Sequence, residues 1–91
     1  MTRIRIRLRF AGRVQGVSFR QFVRSRSGPL HIGGFVRNLP DGTVEAELEG
    51  ERAAIEELEQ AVRFEHPYAR IDSVVREEVP LQGAAPPVQV R

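Results

Sequence analysis

The amino-acid sequence predicts an α+β protein in which two helices cover one face of an antiparallel sheet. Several short segments alternate apolar with charged residues, which is typical of strands with one buried and one solvent-exposed face. Two longer segments carry apolar residues at helical spacing. Because the strands show a single apolar face, we expect both helices to lie on that face and to leave the other one open.

The first three strands are predicted from alternation and from one turn. Apolar residues take every second position from Ile4 to Phe10, and arginines take the positions between them. Residues 33–38 and 44–49 predict a second and a third strand. Residues 39–42 connect them, and their Pro-Asp-Gly sequence is typical of a tight hairpin turn.

The helices and the remaining strands complete the order βαββαβ. Residues 19–30 and 51–64 predict the two helices, residues 71–79 the fourth strand, and residues 88–91 a short last strand. This order is that of the ferredoxin-like open sandwich, built from two βαβ halves. No internal repeat or long linker divides the chain, so we expect a single domain over residues 1–91.

The charged faces of two predicted strands carry opposite signs. In the split-βαβ arrangement the first and third strands are neighbours, and cross-strand pairs of opposite charge contribute about 0.2–1 kcal/mol each. The residues that would meet there are Arg3, Arg5, Arg7 and Arg9 on one strand and Glu45, Glu47 and Glu49 on the other. We therefore expect a solvated face whose charges neutralise one another. An RNA-binding sheet would need exposed stacking aromatics on these strands, so we expect no nucleic-acid partner.

Composition excludes several classes of protein. The sequence has no cysteine, which excludes disulfide scaffolds, thiolate metal sites and cysteine nucleophiles. Only His31 and His66 could supply imidazole ligands, so we expect neither a metal nor a cofactor. No apolar run approaches the roughly 18 residues that span a bilayer, and the N-terminus has no signal-peptide pattern. We expect a cytoplasmic protein with no membrane partner.

One glycine-containing loop carries the clearest chemical pattern. It joins the end of the first strand to the start of the first helix, and it contains Gly12 and Gly16. Main-chain N–H groups at a helix N-terminus bind anions, and glycine allows consecutive amides to converge on one oxygen cluster. Arg20, in the first helical turn, adds a planar fork that suits phosphate. By itself, such a loop is equally typical of a structural turn.

Three motifs give the chain a family resemblance. They are G-x-V-Q-G-V-x-F-R at residues 12–20, G-F-V-R-N at residues 34–38 and D-G-x-V-E at residues 41–45. Together they strongly resemble the acylphosphatase family, and the resemblance runs from about residue 5 to residue 91. It implies a metal-free enzyme that cleaves the bond between a carboxyl group and phosphate in a small-molecule acyl phosphate. We expect the enzyme to be a monomer.

The resemblance also implies a role for each site residue. The residues whose amides would surround the phosphoryl group are Gln15, Gly16, Val17, Ser18 and Phe19, together with Arg20. The Arg20 side chain would hold the phosphoryl oxygens, and the Asn38 side chain would orient the attacking water. Asn38 also precedes Leu39-Pro40, where asparagine is common for turn geometry alone. The loop residues His66 and Tyr68 receive no catalytic role.

Three positions depart from the family's pattern. Ser18 stands where the family often has glycine, and its hydroxyl would either contact phosphate or crowd the loop. Gly28-Pro29 falls inside the first predicted helix, so we expect that helix to end or kink early. His31 stands where glycine would usually close the helix in a left-handed conformation, which histidine tolerates better than most residues.

Two alternatives remain open from the sequence. Residues 69–74 together with residues 33–38 also resemble the acylphosphatase-like domain of the hydrogenase-maturation carbamoyltransferase, for which the substrate would be carbamoyl phosphate. The same scaffold could also serve as a non-catalytic ligand-binding module, because a fold does not fix a function.

Overall fold

A computed structural model describes residues 2–91 and confirms the predicted open sandwich. The elements are β1 (Arg3–Arg13), α1 (Phe19–Ser27), β2 (Gly33–Asn38), β3 (Val44–Glu51), α2 (Arg52–Phe64), β4 (Arg70–Val79) and β5 (Gln89–Val90). The strand order in the sheet is β4-β1-β3-β2-β5. All neighbouring strands are antiparallel except β2 and β5, which run parallel. The central pair β1 and β3 is the one that the split-βαβ arrangement predicts.

The core lies between the helices and the apolar face of the sheet. Its most deeply buried side chains include Ile6, Leu8, Phe19, Val23, Val36, Val44, Ile55 and Leu58. Burial of each such side chain contributes roughly 1.5–3 kcal/mol. Phe10 and Phe19 meet edge to face with ring centroids 5.2 Å apart. This contact joins the end part of β1 to the first residue of α1, and so fixes both sides of the intervening loop.

The charged face of the sheet differs from the prediction in one respect. The register does pair Arg5 with Glu49, Arg7 with Glu47 and Arg9 with Glu45. However, the expectation of a fully solvated face is wrong, because Arg5, Glu47 and Glu49 are buried.

The segment of residues 80–88 covers these buried charges. The Glu49 carboxylate accepts hydrogen bonds from the N–H groups of Gln82 at 2.8 Å and Ala84 at 3.0 Å. Arg5 donates to Glu47 and Glu49 at 2.8 and 2.9 Å. The segment can therefore cross a charged surface because its own amides and the arginine satisfy the carboxylates.

The first helix is shorter than the predicted range 19–30 and ends early, as Gly28-Pro29 indicates. It ends at Ser27, two residues before Pro29. The Ile32 N–H donates to the Ser27 carbonyl, and the His31 N–H donates to the Gly28 carbonyl, both at 3.0 Å. With His31 at a φ of 56°, these are the bonds of a Schellman motif. The left-handed conformation expected for His31 is confirmed.

Replacing His31 with glycine is expected to stabilise the protein by about 0.5–1 kcal/mol. The left-handed conformation costs a non-glycine residue roughly 1–2 kcal/mol, and the greater freedom of glycine in the unfolded chain offsets part of this gain. Urea unfolding of H31G and the parent protein measures the difference. Gln60→Gly, at an exposed position inside α2, is the matched control and should lose about 1 kcal/mol. A loss of stability in H31G would contradict the strain at His31.

Candidate anion-binding site

The loop between β1 and α1 is anchored in the core at both ends. Val14 and Phe19 are each 1% exposed, while Gly16 and Ser18 between them lie at the surface. Gly16 has a φ of 73° and Ser18 a φ of 61°. Left-handed residues in a short loop turn successive N–H groups toward one side, which forms an anion-binding concavity.

Ser18 combines a strained conformation with an unused capping position. It is the N-cap of α1, yet its side chain makes no capping hydrogen bond. Its carbonyl accepts the bond from the N–H of Phe22 that begins the helix. The N–H groups of Phe19, Arg20 and Gln21 have no carbonyl partner within the helix, because they belong to its first turn. They are therefore available to an anion at the positive end of the helix dipole.

A cleft of about 320 Å³ opens at this helix terminus. Gly16 and Ser18 line it from the loop, Phe19 and Arg20 from α1, and Asn38 from the end of β2. Among residues 2–91, its lining includes one arginine and no carboxylate. A cleft with this charge and these donors favours an anion.

Arg20 is held in place by the end of the chain. One terminal nitrogen of its guanidinium donates to the main-chain oxygen of Arg91 at 2.7 Å. The N–H of Arg91 in turn bonds to the carbonyl of Val36 on β2 at 2.9 Å. A guanidinium has five N–H donors, so this contact orients the fork and leaves donors for phosphate oxygens.

Gln15 connects the loop to the hairpin that carries Asn38. Its side-chain amide donates to the carbonyls of Leu39 and Thr43, each at 2.9 Å. These two carbonyls lie in the turn directly after β2, so the contact fixes Asn38 relative to the loop. From the sequence we expected only the main-chain amide of Gln15 to contact the substrate. The structure shows in addition that its side chain holds the hairpin turn after Asn38.

The hairpin turn is stabilised by its own aspartate. The Asp41 carboxylate accepts from the Thr43 hydroxyl at 2.6 Å and from the Thr43 N–H at 3.0 Å. These hydrogen bonds lower the pKa of Asp41 below its ordinary value. The turn therefore keeps its geometry at neutral pH, and with it the position of Asn38.

The structure brings most of the predicted site residues together. Gly16, Ser18, Phe19, Arg20 and Asn38 share the cleft. The Val17 side chain instead lines a neighbouring groove. The sequence alone did not indicate this groove, because His66 and Tyr68, which complete it, lie in a distant loop.

Within residues 2–91, no group of three or more histidine, aspartate or glutamate side chains is placed to hold a metal ion. No helix in the same part of the chain has the length and apolar character needed to cross a bilayer.

The fold and the cleft define a small α+β sandwich protein whose candidate anion site lies between a glycine loop, an arginine and an asparagine. The family model described as Acylphosphatase matches residues 6–85. The acylphosphatase of Rubrobacter xylanophilus is 47% identical over 96% of this chain and 79% of its own length. That of Anaeromyxobacter dehalogenans is 46% identical over 98% of this chain and 96% of its own. This chain belongs to the acylphosphatase family.

Solved structures agree with this assignment. The crystal structure of acylphosphatase from Bacillus subtilis superposes with a TM-score of 0.88 at 28% identity, covering 97% of this chain and 98% of that one. The crystal structure of T. kodakarensis HypF superposes with a TM-score of 0.79 at 30% identity. It covers 99% of this chain but only 12% of the other, so the same fold also occurs as part of a larger protein.

Proposed function

We propose that this protein hydrolyses acyl phosphates to a carboxylate and inorganic phosphate, without a metal ion. The observation that carries the proposal is the meeting of Arg20 and Asn38 with the glycine loop in one cleft. Residues from the loop after β1, from α1, from β2 and from β5 line it, and a simple structural turn has no need of them. The relatives named as acylphosphatases support the same activity.

Each part of the cleft has one task in the reaction. The main-chain N–H groups of residues 15–20 hold the phosphoryl oxygens, and the Arg20 guanidinium neutralises their charge. The Asn38 side-chain amide holds a water molecule in line with the bond that breaks. The water oxygen forms a bond to phosphorus while the bond from phosphorus to the acyl oxygen breaks. Both electrons of that bond leave with the carboxylate, and the water's proton passes to the phosphate product or to solvent.

The leaving group explains why so few groups suffice. A departing carboxylate is the base of an acid with a pKa of about 4, so it needs no proton donor. Phosphoryl transfer through a loose transition state depends on positioning and on stabilisation of the equatorial oxygens. Among residues 2–91, the polar side chains that line the cleft are a serine, an arginine and two amides, with no histidine or carboxylate. This chemistry suits acyl phosphates better than alkyl phosphates, whose alkoxide would need protonation.

Phosphate release from acetyl phosphate in the presence of EDTA tests the proposal. We expect turnover that EDTA leaves unchanged, and no turnover of an alkyl phosphate such as glycerol phosphate. Activity that EDTA abolishes and Mg²⁺ restores would contradict the metal-free mechanism. Binding of inorganic phosphate without any turnover would favour the non-catalytic module instead.

A second candidate substrate is carbamoyl phosphate. The superposition on 12% of HypF is consistent with a chain that acts as one domain of a larger protein. Comparing kcat/KM for carbamoyl phosphate and acetyl phosphate in the same assay separates the two candidates.

We further propose that residues 1–91 form a single domain, which acts as a cytoplasmic monomer without cofactor, membrane or nucleic-acid partner. Size-exclusion chromatography with light scattering tests the monomer.

A further inference from the structure

A polar pocket of about 240 Å³ lies on the open face of the sheet. It is formed where the segment of residues 80–88 and the chain end that follows it meet β1 and β2. Its polar side chains are those of Arg5, Gln82, Gln89 and Arg91. Among residues 2–91, no carboxylate side chain lines this pocket, and none of its lining residues also lines the anion cleft. The pocket is therefore a separate, positively charged space.

Arg5 presents a guanidinium with an unused donor to the polar pocket. Its side chain is only 3% exposed, and its Nε and Nη1 donate to the carboxylates of Glu47 and Glu49. Its Nη2 donates to no group among residues 2–91. Because no fully buried side-chain nitrogen in this part of the chain lacks a partner, Nη2 must reach the solvent. Arg5 lines the polar pocket, so the remaining donor opens toward that space.

Arg91 supplies the second positive charge of the polar pocket. Its guanidinium carbon lies 4.1 Å from the centroid of the Phe35 ring, and it forms no ion pair with a carboxylate side chain among residues 2–91. Stacking on an aromatic face orients a guanidinium and leaves the N–H donors at its edge available. The polar pocket thus contains donors on two arginines.

The donors of the polar pocket suit a phosphate group. Guanidinium groups bind phosphate oxygens through charge-assisted hydrogen bonds, and side-chain amides such as those of Gln82 and Gln89 can donate to the same oxygens. The Glu49 carboxylate beside Arg5 already accepts from Arg5 and from two main-chain N–H groups of the covering segment. Its negative charge is therefore offset before a ligand enters.

We infer that the polar pocket is a second anion site, which binds inorganic phosphate separately from the cleft. This inference goes beyond the proposed hydrolysis and does not require it. Arg91 connects the two sites, because its main-chain oxygen accepts from Arg20 and its N–H donates to the Val36 carbonyl. Phosphate held by the Arg91 side chain contacts the residue that orients Arg20. Because the proposed reaction releases inorganic phosphate, its own product could occupy this site.

A phosphate titration followed by two-dimensional ¹H–¹⁵N NMR at constant ionic strength tests the inference, because it reports the two sites separately. We expect saturable shifts in the amides of Gly34, Gln82 and Ala84, in addition to shifts in the loop of residues 15–20. Arg91→Ala should raise the apparent Kd at the polar pocket about 5–10-fold. It should change the Kd at the loop less than about twofold, because the main-chain contact to Arg20 remains.

Arg37→Ala is the control for a general loss of positive charge. Arg37 is also exposed and its guanidinium carbon lies 5.9 Å from the Phe35 centroid, yet it does not line the polar pocket. We expect R37A to leave both apparent Kd values close to those of the parent protein.

The outcomes separate this inference from the proposed function. Shifts confined to the loop, or equal losses at the polar pocket in R91A and R37A, would refute the second site and leave the cleft untouched. Saturable shifts at the polar pocket that only R91A weakens would support it. Absence of acetyl phosphate turnover, with the polar pocket still binding phosphate, would refute the proposed function alone.

Discussion

Replacing Arg20 or Asn38 with alanine is expected to reduce acyl phosphate hydrolysis below detection while the protein stays folded. Loss of an arginine that stabilises a transferring phosphoryl group costs about 10³–10⁵ in kcat in related chemistry. Loss of one preorganised donor costs about 10²–10³. Both side chains line the cleft, and neither belongs to the buried core. Phosphate release under saturating substrate measures the effect.

Neighbouring residues supply matched controls for both variants. Arg24 lies one helical turn beyond Arg20 and also donates to a main-chain oxygen of the C-terminal segment, that of Val88 at 3.4 Å. Arg37 directly precedes Asn38, is exposed, and pairs with Glu45. Arg24→Ala and Arg37→Ala should each keep kcat within about threefold, since neither residue lines the cleft. Turnover that survives in both R20A and N38A would overturn the assignment of this cleft.

Arg20→Lys further tests how the positive charge is used. Lysine keeps the charge but cannot present a planar fork, so it cannot hold the Arg91 oxygen and a phosphate oxygen in the same geometry. We therefore expect R20K to fall between the parent protein and R20A. Full activity in R20K would show that charge alone matters.

Replacing Glu49 with glutamine is expected to destabilise the protein by about 3–5 kcal/mol, because it leaves the buried Arg5 without one of its charge partners. The side chains of Arg5 and Glu49 are 3% and 1% exposed and lie 2.9 Å apart. Domains of this size have roughly 5–15 kcal/mol of stability in total, so the loss is a large fraction. Urea unfolding at pH 7 measures it.

Glu77→Gln is the matched control for this ion pair. Glu77 pairs with Arg7 at 3.0 Å, but both side chains are substantially exposed. Exposed pairs contribute about 0–1 kcal/mol, so E77Q should lie close to the parent protein. Equal losses in E49Q and E77Q would show that burial does not strengthen the central network.

The same network predicts a loss of stability in acid. Burial alone raises the pKa of Glu49, but hydrogen bonds from the Gln82 N–H, from Arg5 and from the Ala84 N–H outweigh it and hold the pKa below its ordinary value. Glu47 shows the same balance, with Arg5 and Arg7 as its donors. A lowered pKa contributes stability above the ordinary value near about 4.3 and loses it as the pH falls toward the folded-state pKa. The stability lost on going from pH 6 to pH 3 should therefore be smaller in E49Q than in the parent protein.

Much of the fold could be predicted from local patterns. The alternation from Ile4 to Phe10 predicted β1, and helical spacing predicted α2 almost to its first residue. Pro29 predicted that α1 ends early, because proline cannot continue the hydrogen bonding of a helix. The prediction placed the end of α1 at residue 30, three residues beyond its actual end at Ser27. Leu30 has helical spacing to Val23 and packs against the core, although it lies in the turn after the helix.

The motifs also indicated where the candidate anion site lies, since strand, glycine loop and helix N-terminus are consecutive in the chain. The sequence by itself determined the order of the elements and the place of the loop, because these depend on contacts between near neighbours. Its resemblance to the acylphosphatase family indicated the residues that we propose to bind phosphate. Only the tertiary structure decided that residues 80–88 cover Arg5 and Glu49, that Gln15 fixes the hairpin of Asn38, and that His66 and Tyr68 stand beside the cleft. These contacts join residues that are far apart in the chain, and the periodicity of a segment contains no information about which distant segment will pack against it.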